Sequence, residues 1–139
     1  MGHELRPRNE TPLTVALIER LLRAEFAHVR VDVEEGTRRV RESADWIEAR
    51  PTSFFQSDNE NIAKRRATLL ERAKELRALR PGAAAGFTVG NDPTEATLHF
   101  VFMPGNAIMF GYSGSEEERR LRPLIDRCAR VLDSDVVLF

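Results

Sequence analysis

Apolar positions recur along this chain with two different periods, and the switches between them mark its elements. Thr11-Pro12 reads as an N-cap followed by proline at the first helical position. Leu13, Leu17, Leu21 and Ala24 then recur at helical spacing, and Val15, Ile18, Leu22 and Phe26 widen the stripe. The pattern predicts a helix over about 12–27 with a broad buried face. From His28 the period becomes two. Val29, Val31 and Val33 alternate with Arg30, Asp32 and Glu34, as in a strand with one wet face. Glu34-Glu35-Gly36-Thr37 can turn the chain, and residues 37–42 read either as a returning strand or as helix. Ser43 can cap a short helix that ends before Pro51.

Ser57-Asp58-Asn59-Glu60 has the spacing of a capping box. A long helix over about 58–80 follows, with Ile62, Leu69, Leu70, Ala73 and Leu76 as its buried stripe and Arg80-Pro81-Gly82 as its stop. Phe87 and Val89 fall in a short strand closed by Gly90-Asn91-Asp92-Pro93. Leu98–Met103 and Ala107–Tyr112 flank Pro104-Gly105, the signature of a type II turn. A hairpin closed there sets Phe102 opposite Ala107, Val101 opposite Ile108, Phe100 opposite Met109 and His99 opposite Phe110. One face then carries Leu98, Phe100, Phe102, Ala107 and Met109, and the other His99, Val101, Met103, Ile108, Phe110 and Tyr112. Both faces are apolar.

Ser115 to Glu118 repeats the capping-box spacing. Leu121, Leu124, Ile125, Cys128 and Leu132 form a helical stripe to about residue 133, with a kink expected at Pro123. Val136-Val137-Leu138-Phe139 reads as a final strand inserted in the sheet. Together these elements predict an α+β fold. It is a mainly antiparallel sheet of about five strands packed against three main helices, the C-terminal helix being followed by a short final strand. The polar residues 1–10 read as a flexible N-terminal arm, and 11–139 as a single domain with no break in composition.

With 42% hydrophobic and 31% charged residues, the 139-residue chain is excluded from the disordered class. A net charge of −1 supplies no global field for nucleic acid or anionic lipid. One basic cluster, Arg38, Arg39 and Arg41, and another, Lys64, Arg65 and Arg66, are both flanked by acidic residues, and read as solvated faces. A base-stacking strand with the RNP1 pattern is absent, which argues further against nucleic acid. One cysteine allows no intrachain disulfide and points to a reducing compartment, the cytoplasm. No secretory signal and no eighteen-residue apolar run is present, so no membrane partner is expected.

Chemical motifs are few. Gly111-Tyr112-Ser113-Gly114-Ser115 lies between strand and helix but fails the G-x-S-x-G pattern, and all three histidines, His3, His28 and His99, lie upstream of it. Glu116, Glu117 and Glu118 in the following helical turn repel a phosphate there. No metal-ligand spacing is present, and no cofactor motif. Cys128 falls on a buried stripe and reads as a small hydrophobe.

Two functional readings follow. In the first, the chain is a non-catalytic protein-binding, adaptor or chaperone-like module. It binds a protein partner or itself as a homodimer, through Val101, Met103, Ile108, Phe110 and Tyr112 on the second face of the hairpin. In the second, it is a small-ligand-binding domain or small enzyme with a pocket lined by His99, Tyr112 and Trp46.

Overall fold

The computed structural model describes residues 2–50, 60–92 and 96–138, without the side chains of 60–63. In chain order the elements are β1 (Gly2–Pro7), α1 (Val15–Glu25), β2 (His28–Asp32), α2 (Val33–Glu48), α3 (Glu60–Arg77), β3 (Ala85–Gly90), β4 (Leu98–Phe102), β5 (Ile108–Gly111), α4 (Ser115–Val131) and β6 (Ser134–Leu138). The fold is α+β. In place of one five-stranded sheet and three main helices, the described residues form four helices and two three-stranded antiparallel sheets, ordered β2–β3–β4 and β5–β1–β6.

Strand alternation sorts the side chains. Across β2–β3–β4, Val29 faces Val89 and Val31 faces Phe87. Phe87 in turn faces Phe100, and Ala85 faces Phe102. These residues turn inward, where Phe87 stacks on Phe100 with ring centroids 5.2 Å apart. Leu5, Ile108 and Phe110 bring the β5–β1–β6 sheet to the same core, which Ile18, Leu22 and Phe26 at α1 and Leu121, Leu124, Ile125 and Cys128 of α4 complete. Phe100 meets Phe110 edge-on at 5.5 Å across the break between the sheets. A smaller cluster, Ala44 and Ile47 of α2 with Ala73 and Leu76 of α3, lies on the outer side. There α2 rests on β3 and β4. Arg77 ties α3 to α2 by reaching Asp45 at 2.6 Å and Glu48 at 2.7 Å.

The N-terminal residues are not an arm. β1 is the middle strand of its sheet, pairing Leu5 with Ile108 of β5 and with Val136 of β6. Gly2, His3 and Leu5 are buried. Their short alternation is hidden in the sequence because one of the buried residues is a histidine.

Residues 37–42 are helical, and the 34–37 segment is the start of α2 rather than a turn. Asp32 caps that helix, its Oδ1 accepting from the Glu35 amide at 3.0 Å. Gly36 lets the helix sit flush on the sheet, since a Cβ there would lie 2.2 Å from the Ala84 carbonyl oxygen. α1 begins later than expected because Thr14, not Thr11, is the cap, its Oγ1 accepting from the Leu17 amide at 3.1 Å. Leu70, expected in the buried stripe of α3, is exposed. The cap expected at Ser57 lies outside the described residues.

The Pro104-Gly105 turn forms. The Asn106 amide donates to the Met103 carbonyl at 3.1 Å, and Gly105 has φ of 81°. The ladder expected beyond it does not form, because β4 pairs with β3 while β5 pairs with β1. Arg72 of α3 fastens the turn, donating to the Pro104 carbonyl at 2.5 Å and to Asn106 Oδ1 at 2.6 Å. Instead of lying inside its sheet, β6 is an edge strand, paired among the described residues with β1 alone.

Candidate functional site

The splaying of β4 and β5 changes which side chains are available. Ile108 and Phe110, expected on a contact face, are each 3% exposed and belong to the core. Val101, Met103 and Tyr112 are half-buried in three different places. Val101 stands on the outer face opposite Gly86. Met103 packs with the α2–α3 cluster. Tyr112 lies against His3, its hydroxyl 3.4 Å from His3 Nε2. The five residues therefore share no surface. The expected register fails because each strand follows its own sheet, so Ile108 and Phe110 turn to the side that Phe100 occupies.

The pocket expected from His99, Tyr112 and Trp46 is not assembled either. Tyr112 follows β5, whereas His99 is on β4. Trp46 is exposed on α2 with the Arg50 guanidinium 4.0 Å above its ring. It lies eleven residues, roughly 16 Å of helix, from the part of α2 that touches His99.

What His99 does meet is a hydroxyl and a carboxylate. Its Nδ1 is 3.0 Å from Thr88 Oγ1, the residue opposite it on β3, and its Nε2 is 3.0 and 3.1 Å from the two oxygens of Glu35. Glu35 sits in the first turn of α2, directly over Gly86, where a Cβ would fall 1.6 Å from Glu35 Oε1. Arg38 approaches the same carboxylate at 3.9 Å. Opposite Thr88 on the other side stands Arg30 of β2, so Arg30, Thr88 and His99 form a row across three strands. No sequence motif links these residues, because the partners of His99 lie 11 and 64 positions away.

His3 on β1 is 3% exposed, whereas His28 on β2 is exposed. The Nε2 of His3 accepts from Arg122 Nη1 at 2.8 Å, while its Nδ1 has no hydrogen-bond partner among the described residues. Ser113 pairs with the carboxylate of Glu117. Its amide and hydroxyl both donate to Glu117 Oε2, at 2.7 and 2.6 Å, and hold that carboxyl below its usual range. These bonds replace the box expected at Ser115 to Glu118, and α4 runs on through Pro123. Burial pushes the Cys128 thiol up to about 12, as for an unreactive core cysteine. Glu25 joins α1 to α4. Arg127 at 3.0 Å, then Arg130 at 2.6 Å, hold its carboxyl below the ordinary value. No group of three potential metal ligands occurs among the described residues. Among the same residues no helix is long and apolar enough to cross a membrane.

No protein-family model matches this chain, and neither does any curated protein or solved structure.

The two sheets differ in how their outer faces are covered. α2 lies over part of β2–β3–β4. On β5–β1–β6 the outward positions are Glu4 and Arg6 of β1, Met109 and Gly111 of β5, and Asp135 and Val137 of β6. Met109 there is 52% exposed, and Leu138 at the end of β6 is 62% exposed. The free edges differ too. β2 presents His28, Arg30 and Asp32 outward, charges of the kind that guard an edge strand. β6 reads Ser-Asp-Val-Val-Leu, and its one charge, Asp135, is already bound by Arg8 at 2.8 Å.

Proposed function

We propose that the chain is a non-catalytic protein-binding module that acts as a homodimer, joined through the free edge of β6. The observation that carries this reading is the contrast between the β2 edge and the β6 edge. β2 is guarded by charge, whereas β6 offers backbone groups that are unpaired among the described residues, apolar side chains and a single carboxylate, which pairs with Arg8. An antiparallel two-fold pairing centred on Val136 sets each Asp135 opposite the partner's Val137, so no like charges meet. It joins β5–β1–β6 to its copy and brings the Met109 faces of both copies into one wide surface, on which a further protein partner could lie.

The experiment is light scattering with two opposite substitutions. Val137→Asp places a second carboxylate opposite Asp135 at both symmetry-related positions, and should shift the equilibrium to monomer. Val137→Arg places a guanidinium there and should strengthen the dimer. Equal masses for both variants and the wild type at all concentrations would reject the β6 pairing.

A further inference from the structure

The part of the β2–β3–β4 outer face that α2 leaves open holds a depression of about 590 Å³. Its rim is formed by Arg23 of α1, His28 and Arg30 of β2, Thr88 of β3, and Asp92 and Thr97 of the β3–β4 connection. Gly90 is part of its floor, and a Cβ there would meet Thr97 Cγ2 at 3.3 Å. Arg23 is occupied, bonded to Glu19 and to the Val29 carbonyl. Arg30 has no hydrogen-bond or ion-pair partner among the described residues. We propose that this depression binds the anionic group of a small ligand, a phosphoryl or sulfuryl oxyanion, with Arg30 as its charge partner and Thr88 as a hydroxyl donor controlled by His99.

The control follows from hydrogen-bond inventory. A carboxylate only accepts, so the nitrogen between the two Glu35 oxygens, Nε2, carries hydrogen. In the neutral ring Nδ1 is then an acceptor, and the Thr88 hydroxyl spends its hydrogen on it. Thr88 shows the depression only lone pairs, which repel an anion. In the doubly protonated ring Nδ1 donates to Thr88 Oγ1, and the hydroxyl hydrogen is free to turn toward the ligand. Anion binding and protonation of His99 therefore favour each other. The charged groups around the ring are Glu35 and Arg38 of α2 and Arg30 of β2, while His28 lines the depression itself.

Inorganic sulfate, which does not titrate near neutrality, is the probe. Backbone amide shifts are followed in the full chain at pH 6 and pH 8. The wild type should show saturable shifts at Thr88, Gly90 and Thr97, with tighter binding at pH 6. Arg30→Ala should abolish them. Thr88→Val keeps the shape and every charge but removes the hydroxyl. It should weaken binding at pH 6 by roughly ten-fold, the worth of one hydrogen bond to a charged group, and should not weaken it at pH 8. Absence of saturable shifts in the wild type at pH 6 would overturn the site. Identical sulfate binding by Thr88→Val and wild type at both pH values would overturn the role of Thr88, leaving only general attraction by His28 and Arg30.

Discussion

Replacing Gly36 by alanine isolates the contact that seats α2 on the sheet. The position is helical and buried, and a Cβ built there would lie 2.2 Å from the Ala84 oxygen, 2.3 Å from the Ala84 carbonyl carbon and 2.4 Å from the Ala85 nitrogen. All three are backbone atoms and cannot rotate away. Comfortable contact needs about 3.5 Å, so α2 must retreat by roughly 1 Å at its first turn. Helix propensity alone favours alanine over glycine by about 1 kcal/mol. Overpacking costs about 1–3 kcal/mol and more where backbone must move. The retreat also lifts Glu35 from its seat over Gly86. The expected result is a net loss of up to about 2 kcal/mol, a sign opposite to propensity. In urea unfolding followed by circular dichroism at fixed protein concentration, the midpoint should fall with an unchanged slope. The melting temperature should drop by roughly 3–8 °C for a chain of this length. Gly111→Ala is the control. Nothing lies within 4 Å of a Cβ there, so stability should stay within about 0.5 kcal/mol of wild type. A Gly36→Ala protein as stable as wild type, or more so, would refute the flush seating of α2.

Two further outcomes test other parts of the fold. Leu5→Ala, in the middle strand of β5–β1–β6, should cost about 2–5 kcal/mol, because Leu5 is 2% exposed; a flexible arm would show no change in the unfolding midpoint. Glu25 has its folded-state value lowered by Arg127 and Arg130, so its contribution is present above the unfolded value of 4.5 and fades as pH falls from there through the folded value. Melting curves should show Glu25→Gln less stable than wild type at pH 7, with the gap narrowing below about pH 4.5. A gap that stays constant down to pH 3 would separate that ion pair from the acid response.

The helices were legible where one apolar stripe was long enough to show its period, as with Leu121, Leu124, Ile125 and Cys128 in α4. Their starts were less so. Thr11 precedes a proline and reads as the cap, but the Leu17 amide is taken by Thr14. The Gly36 segment reads as a turn because a glycine needed for close approach looks, locally, like one needed for chain reversal. Leu98, Phe100 and Phe102 showed the inward face of β4 correctly. The sequence pattern gives the wrong face for β5, because a type II turn does not by itself make a ladder across it. The partners of β5 lie in the first seven residues, too far along the chain for any local pattern to reveal. Thr88 and Glu35 meet His99 only through strand register and the seating of α2 on glycine, neither of which a local pattern shows.

The β6 edge can be judged from one quantity, the mass of the wild-type chain in solution across a micromolar concentration series. Pairing through β6 predicts that sedimentation or light scattering approaches twice the 15.8 kDa of one chain as concentration rises. A constant 15.8 kDa over the whole range would contradict the homodimer and leave β6 an ordinary solvated edge.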